Sequence, residues 1–194
     1  MPGRFDKAIA RFDAVHAEDP EKDVSGEAKE LVYAQRMSAW LERLAPGSSE
    51  ELRLAVRCQH IRRWAIRRAD YAEGAAGYRK WRTDEANSHA LLAKEVLEET
   101  GYDDTSVRRV QALVRKEKLR RDPEAQTLED VSCLVFLENY FADFAGKHDQ
   151  TKLERIVRMT WAKMSSRGHE AALGLNLPAP LRAIVEKALN RTPG

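Results

Sequence analysis

Apolar residues recur at helical spacing along almost the whole chain, and no stretch keeps the strict alternation of a half-buried strand. That property confines the fold to helices packed on helices. Phe5, Ile9 and Phe12 mark one side of an N-terminal amphipathic helix. The stripe Leu31, Met37, Trp40, Leu41 and Leu44 predicts a second helix over roughly 27–44. Pro46-Gly47-Ser48-Ser49 ends it and caps the next, whose first turn carries Glu50 and Glu51. That third helix is expected to reach about Trp64, bringing Gln59, His60 and Arg63 round its apolar side. The glycines and tyrosines of RRADYAEGAAGYRKWR predict an ordered loop with a short helix at its end, after which Thr83 caps a helix that Gly101 stops. Another helix starts at Asp103 or Asp104 and runs to about Lys116.

Thr127-Leu-Glu-Asp130 is expected to open the most apolar helix, VSCLVFLENYFADF. A helix apolar nearly all round belongs at the centre of a domain. Two more are expected near roughly 150–165 and 179–190, parted by a turn at Gly168 and by Pro178. With 194 residues there is room for one well-buried core, so we expect a single all-α domain, residues 1–194, of about eight helices.

Hydrophobic residues make up 43% and charged residues 33%, which excludes a disordered tail and a membrane protein. The N-terminal MPGRFDKAIARFDAV has charges throughout and no apolar stretch, so it is not read as a secretory signal. Cys58 and Cys133 both sit in apolar helical runs, as buried reduced thiols of a cytoplasmic protein do.

Charge is unevenly placed. Residues 57–82 hold eight lysines and arginines against Asp70 and Glu73, and 108–121 form a second basic block. From Asp122 to Asp149 the chain is acidic, with Lys147 its one lysine or arginine. Such asymmetry fits an anionic ligand or partner, or complementary faces within one fold. There is no phosphate-binding glycine loop, dinucleotide fingerprint, zincin histidine pair or zinc-finger cysteine spacing, and no serine-hydrolase elbow.

Over roughly residues 30–140 the order of elements resembles the HD-domain metal phosphohydrolases. LAVRCQHIRRW is similar to the end of their central helix at a His-Asp pair. HALLAKEVLEETGYDDTSVRRV resembles the stretch where a histidine opens a helix closed by a Gly-aromatic turn, and LEDVSCLVFLENYF resembles the helix carrying their last aspartate. The resemblance puts the first histidine position near Tyr33, the His-Asp pair on Gln59-His60 and the late aspartate on Ser132, two residues after Asp130. His89 matches an additional histidine of some members. The implied ligands are thus mostly replaced, leaving His60, His89 and Asp130 or Glu138, whereas a tight metal site needs three or more convergent ligands.

Over nearly its full length the chain resembles a conserved bacterial and fungal domain of unknown function. RFDAVHAEDP, QHIRRWAI, GYRKWR, TLEDVSCLVFLENYFADF and RGHEAAL carry that likeness. Some members bear an automatic label of glutamyl-tRNA synthetase. This chain is far too short for such an enzyme and lacks its nucleotide-binding motifs.

The leading expectation is an HD-like helical domain with a remodelled pocket for a small anionic ligand, a nucleotide or phosphorylated metabolite. The residues assigned to it are His60, Arg63, Arg36, Lys80, Trp81 and His89. Arginine forks suit phosphate or carboxylate, and Trp64, Tyr78 and Trp81 among cations could stack a base, or simply pack a loop down. His60 and His89 equally suit hydrogen-bonded core histidines, the latter beside Glu85, and Glu138, Asn139 and Asp143 are candidate partners for the arginines. No cofactor is expected. The alternatives are a divalent metal on His60, His89 and Asp130, making a phosphohydrolase or oxygenase, and a non-enzymatic module for RNA or an acidic protein.

Overall fold

A computed structural model of the chain describes residues 2–190. All of its regular structure is helical among the described residues, apart from an isolated bridge between Lys22 and Ala28. Its contacts gather into two compact units, one ending at Leu128 and one starting at Glu129.

The first unit holds α1 (Arg4–His16), α2 (Lys29–Leu44), α3 (Glu50–Cys58), α4 (Gly74–Glu99) and α5 (Asp104–Val114). Helix α6 (Pro123–Asn139) begins in it. Short as it is, α3 is the centre, packing against α1, α2, α4 and α5. Leu52, Leu54, Ala55, Val56 and Cys58 are buried, so most of its surface faces other helices. Ser49 caps it by accepting from the Leu52 N–H, as the Ser-Ser-Glu-Glu run predicts. Arg57 at its last turn makes a two-pronged ion pair with Asp13 of α1, at 2.6 and 2.7 Å, and the Arg57 carbonyl meets Nε2 of fully buried His16.

Three boundaries depart from expectation for identifiable reasons. Helix α3 stops at Cys58 rather than near Trp64. The chain turns out of it through Arg62, held left-handed at φ 53°, and runs on as a 3-10 turn over Arg63–Ala65. Ile61 is fully buried at this turn and its carbonyl is taken by His89, so tertiary contacts replace the helical bonds. The expected loop of 67–82 is mostly helix: after a 3-10 turn at Arg68–Asp70, α4 begins at Gly74 and runs 26 residues without a break. Gly77 serves close approach rather than looseness, since a Cβ on it would lie 1.8 Å from the Ala72 carbonyl oxygen, and Gly74 takes the positive φ of 83° at which the helix starts. Finally, α6 starts at Pro123, not Thr127. Proline suits the first helical position, and the Asp122 carboxylate accepts from the Glu124 and Ala125 N–H groups.

The second unit contains most of α6, then α7 (Phe141–Ala145), α8 (Gln150–Trp161), α9 (Ser166–Leu173) and α10 (Ala179–Asn190). The apolar run expected as one helix breaks at Tyr140, where Phe136 packs on both Phe141 and Phe144 with ring centroids 5.9 Å apart. Gly168, expected in a turn, lies inside α9, which Ser165 caps. Helices α8 and α10 pack together, with Lys187 3.0 Å from the buried Glu154. Both cysteines are free and buried. No described helix is long and apolar enough to cross a membrane.

Candidate functional site

A cavity of about 200 Å³ opens in the first unit, lined by Gln59, His60, Arg82, Glu85, Ala86, His89, Val114, Arg115 and Lys116. Four of these, at 82, 85, 86 and 89, lie on α4, where the spacing of three and four residues puts them on one face, and Arg82 joins the others because the helix begins before Thr83. Gln59 and His60 come from the turn after α3, and Val114 to Lys116 from the end of α5. Lys116 is held left-handed at φ 54°, a conformation that costs a residue with a Cβ about 1–2 kcal/mol.

Several residues that line the cavity carry buried hydrogen-bond acceptors. His89, 4% exposed, donates from Nδ1 to the Ile61 carbonyl at 2.7 Å, which leaves Nε2 as the bare lone-pair nitrogen. Burial, with Arg63 and Arg82 close by, pushes its pKa down to about 4, so the ring is neutral at pH 7. His60 is neutral for the same causes, burial first and then the Arg63 guanidinium. Tyr33 stacks on its ring at 4.3 Å, and Arg63 Nη1 stands 3.2 Å from its Nδ1. The two imidazoles are 6.0 Å apart.

Glu85 is 1% exposed. Its Oε2 accepts from Arg82 Nη1 at 2.9 Å, while Oε1 lies 3.4 Å from Arg63 Nε yet receives no hydrogen bond. Burial raises its pKa against the pull of both arginines. Glu30 faces His60 Nδ1 at 3.6 Å, and burial pushes its carboxyl up to about 7. Four buried acceptors in this neighbourhood therefore have no hydrogen-bond donor: His89 Nε2, Glu85 Oε1, Gln59 Oε1 and Glu30 Oε2. The first three belong to residues that line the cavity. Arg82, Arg115 and Lys116 set positive charge around it.

His60 and His89 thus stand together as expected, with Arg63 bridging His60 and Glu85. Arg63 does not itself line this cavity, and neither do the three other expected residues. Trp81 is 8% exposed and donates from Nε1 to the Ile66 carbonyl, fastening the 3-10 segments to α4, so its faces are not free to stack a base. Lys80 points to Asp84, at 2.8 Å. Arg36 is half-buried and its charge acts on Asp23. Among the carboxylates that meet arginines are Glu85 with Arg63 and Arg82, Asp13 with Arg57, and Asp122 and Glu124 with Arg109.

Asp130 belongs to the second unit, where its oxygens accept from the Ser165 N–H and hydroxyl and so hold the cap of α9. Among the described residues no group of three or more His, Cys, Asp or Glu side chains is placed to hold a metal ion. Gln59 was expected only as the replaced half of a His-Asp pair, Arg82 only among the cations beside Tyr78 and Trp81, and Arg115 and Lys116 only within a basic block. The signal for Arg82 was its spacing from Glu85 and His89, hidden while the preceding stretch was read as loop.

Residues 6–185 match a family described as a domain of unknown function (DUF4202), and the chain belongs to it. No curated protein and no solved structure matches the chain.

Proposed function

We propose that this member of the DUF4202 family binds a small anionic ligand, a nucleotide or phosphorylated metabolite, in the cavity beside His60 and His89. The supporting observation is the charge at that cavity. Arg82, Arg115 and Lys116 line it and Arg63 backs it, against Glu85, the half-protonated Glu30 and the Glu117 carboxylate 3.7 Å from Arg115. Guanidinium groups gathered at a concave, partly dry site favour phosphate or carboxylate. In this reading the domain is HD-like and Gln59-His60 occupies the place of a His-Asp pair, so a cradle for cations has become one for anions. A cytoplasmic setting, with Cys58 and Cys133 kept as thiols, belongs to the same reading.

The test is a thermal-shift and calorimetric screen of inorganic phosphate and phosphorylated metabolites at low salt. Binding that weakens with salt and is lost in Arg82→Gln/Lys116→Gln is expected. A screen in which no phosphate-bearing compound binds refutes the reading.

One observation favours a metal-dependent enzyme instead, a phosphohydrolase or oxygenase: two neutral imidazoles with His89 Nε2 bare. The flanking guanidiniums and the engagement of Asp130 with Ser165 weigh against it. Elemental analysis decides, since a stoichiometric transition metal lost on His89→Gln overturns the anion reading.

A further inference from the structure

The cavity's positive charge says nothing about the acceptors around it. Gln59, Glu85 and His89, which line the cavity, are 4%, 1% and 4% exposed, and each carries a buried acceptor atom that no donor reaches. Buried acceptors are normally satisfied, and a cluster of three in one cavity is matched by a partner bringing several donors. Inorganic phosphate, ionised at neutral pH, is chiefly an acceptor and would leave them bare. An ammonium group brings donors, but Arg63 and Arg82 beside Glu85 repel a further cation. Neutral donors remain, and of these the hydroxyls of a polyol offer several on a short chain and donate to carbonyl, carboxylate and imidazole acceptors alike. Size narrows the class again. About 200 Å³ is less than the roughly 300–1,000 Å³ of pockets that enclose drug-sized ligands, and a whole nucleotide is of that larger class.

We infer that the ligand is a short phosphorylated polyol or sugar, its phosphate held by Arg82, Arg115 and Lys116 and its hydroxyls donating to Gln59 Oε1, Glu85 Oε1 and His89 Nε2. The inference rests on the anion reading above and adds the requirement for hydroxyl donors. His89 serves here as an acceptor that positions a hydroxyl, in the tautomer fixed by Ile61.

The experiment is isothermal titration calorimetry of the full chain with glycerol 3-phosphate, propyl phosphate and glycerol. The two esters share charge and approximate size and differ in their hydroxyls. Glycerol 3-phosphate is expected to bind at least about tenfold more tightly than propyl phosphate, since each new hydrogen bond is worth roughly two- to tenfold. In Gln59→Leu, which keeps the side-chain volume and removes one acceptor, the ratio of the two affinities is expected to shrink severalfold. Because a ratio is read, any general loss of folded protein cancels. Equal binding of the two esters, or an unchanged ratio in Gln59→Leu, overturns the hydroxyl inference and leaves the anion reading standing. Binding of glycerol as tight as its phosphate, or no binding by either ester, overturns the anion reading and this inference with it.

Discussion

Replacing Glu30 by glutamine isolates the electrostatic cost carried beside the cavity. Glu30 Oε2 is buried without a donor, the side chain is 18% exposed, and burial raises its pKa from 4.5 to about 7. A carboxyl whose folded pKa is raised supplies its full contribution to stability below the unfolded value and loses it as pH rises through the folded one. Each pH unit of difference is worth about 1.4 kcal/mol, so ionising Glu30 in the folded protein costs about 3 kcal/mol at pH 8.5 and about 1 kcal/mol at pH 5. Glu30→Gln has nearly the same shape and no charge to bury. Relative to wild type it is therefore expected to gain about 2 kcal/mol between those two pH values. The assay is urea unfolding by tryptophan fluorescence in a Trp161→Phe background, which leaves Trp40, Trp64 and Trp81, all in the first unit, as reporters. His89 and every other titrating group are common to both proteins and cancel in the difference. A difference that stays flat from pH 5 to 8.5 would refute the claim that Glu30 is held dry.

Other perturbations test the remaining parts. His89 has the opposite sign: with its pKa held at about 4 against 6.5, its contribution is full above 6.5 and drains away as pH falls. His89→Gln should therefore flatten the acid limb of the stability profile by about 3 kcal/mol at pH 4, and an unaltered limb in urea titrations would count against a buried neutral ring. Lys116→Gly should raise the melting temperature of the unliganded protein, by an amount equivalent to about 1 kcal/mol of released backbone strain, while weakening phosphate binding. Movement of both readouts in one direction contradicts that split. In the second unit, a Cβ on Gly168 would lie 2.8 Å from the Asp130 carboxylate, which Ser165 holds at both oxygens. Gly168→Ala should cost about 1–3 kcal/mol in thermal unfolding, and a neutral result would mean that the Asp130 side chain yields freely.

Helical periodicity made the all-α class legible, and local signals marked several ends correctly: Ser49 before α3, Asp103 before α5, Gly101 after α4. These are decided within a few residues by backbone hydrogen bonding, so local sequence suffices. The sequence also singled out His60 and His89, because histidines on apolar faces are conspicuous. What it could not decide is where a helix yields to a distant partner. The end of α3 depends on His89 taking the Ile61 carbonyl, 28 residues away, and the early start of α4 depends on Trp81 fastening to Ile66 and on Gly77 admitting Ala72. Those long-range contacts rotate Arg82 and Glu85 onto the cavity and leave Trp81 in the packing. They also determine which acceptors are buried without donors, a property of enclosure rather than of residue type. Periodicity reports which face of a helix is apolar. Only the packed structure decides which polar atoms that face carries out of reach of water.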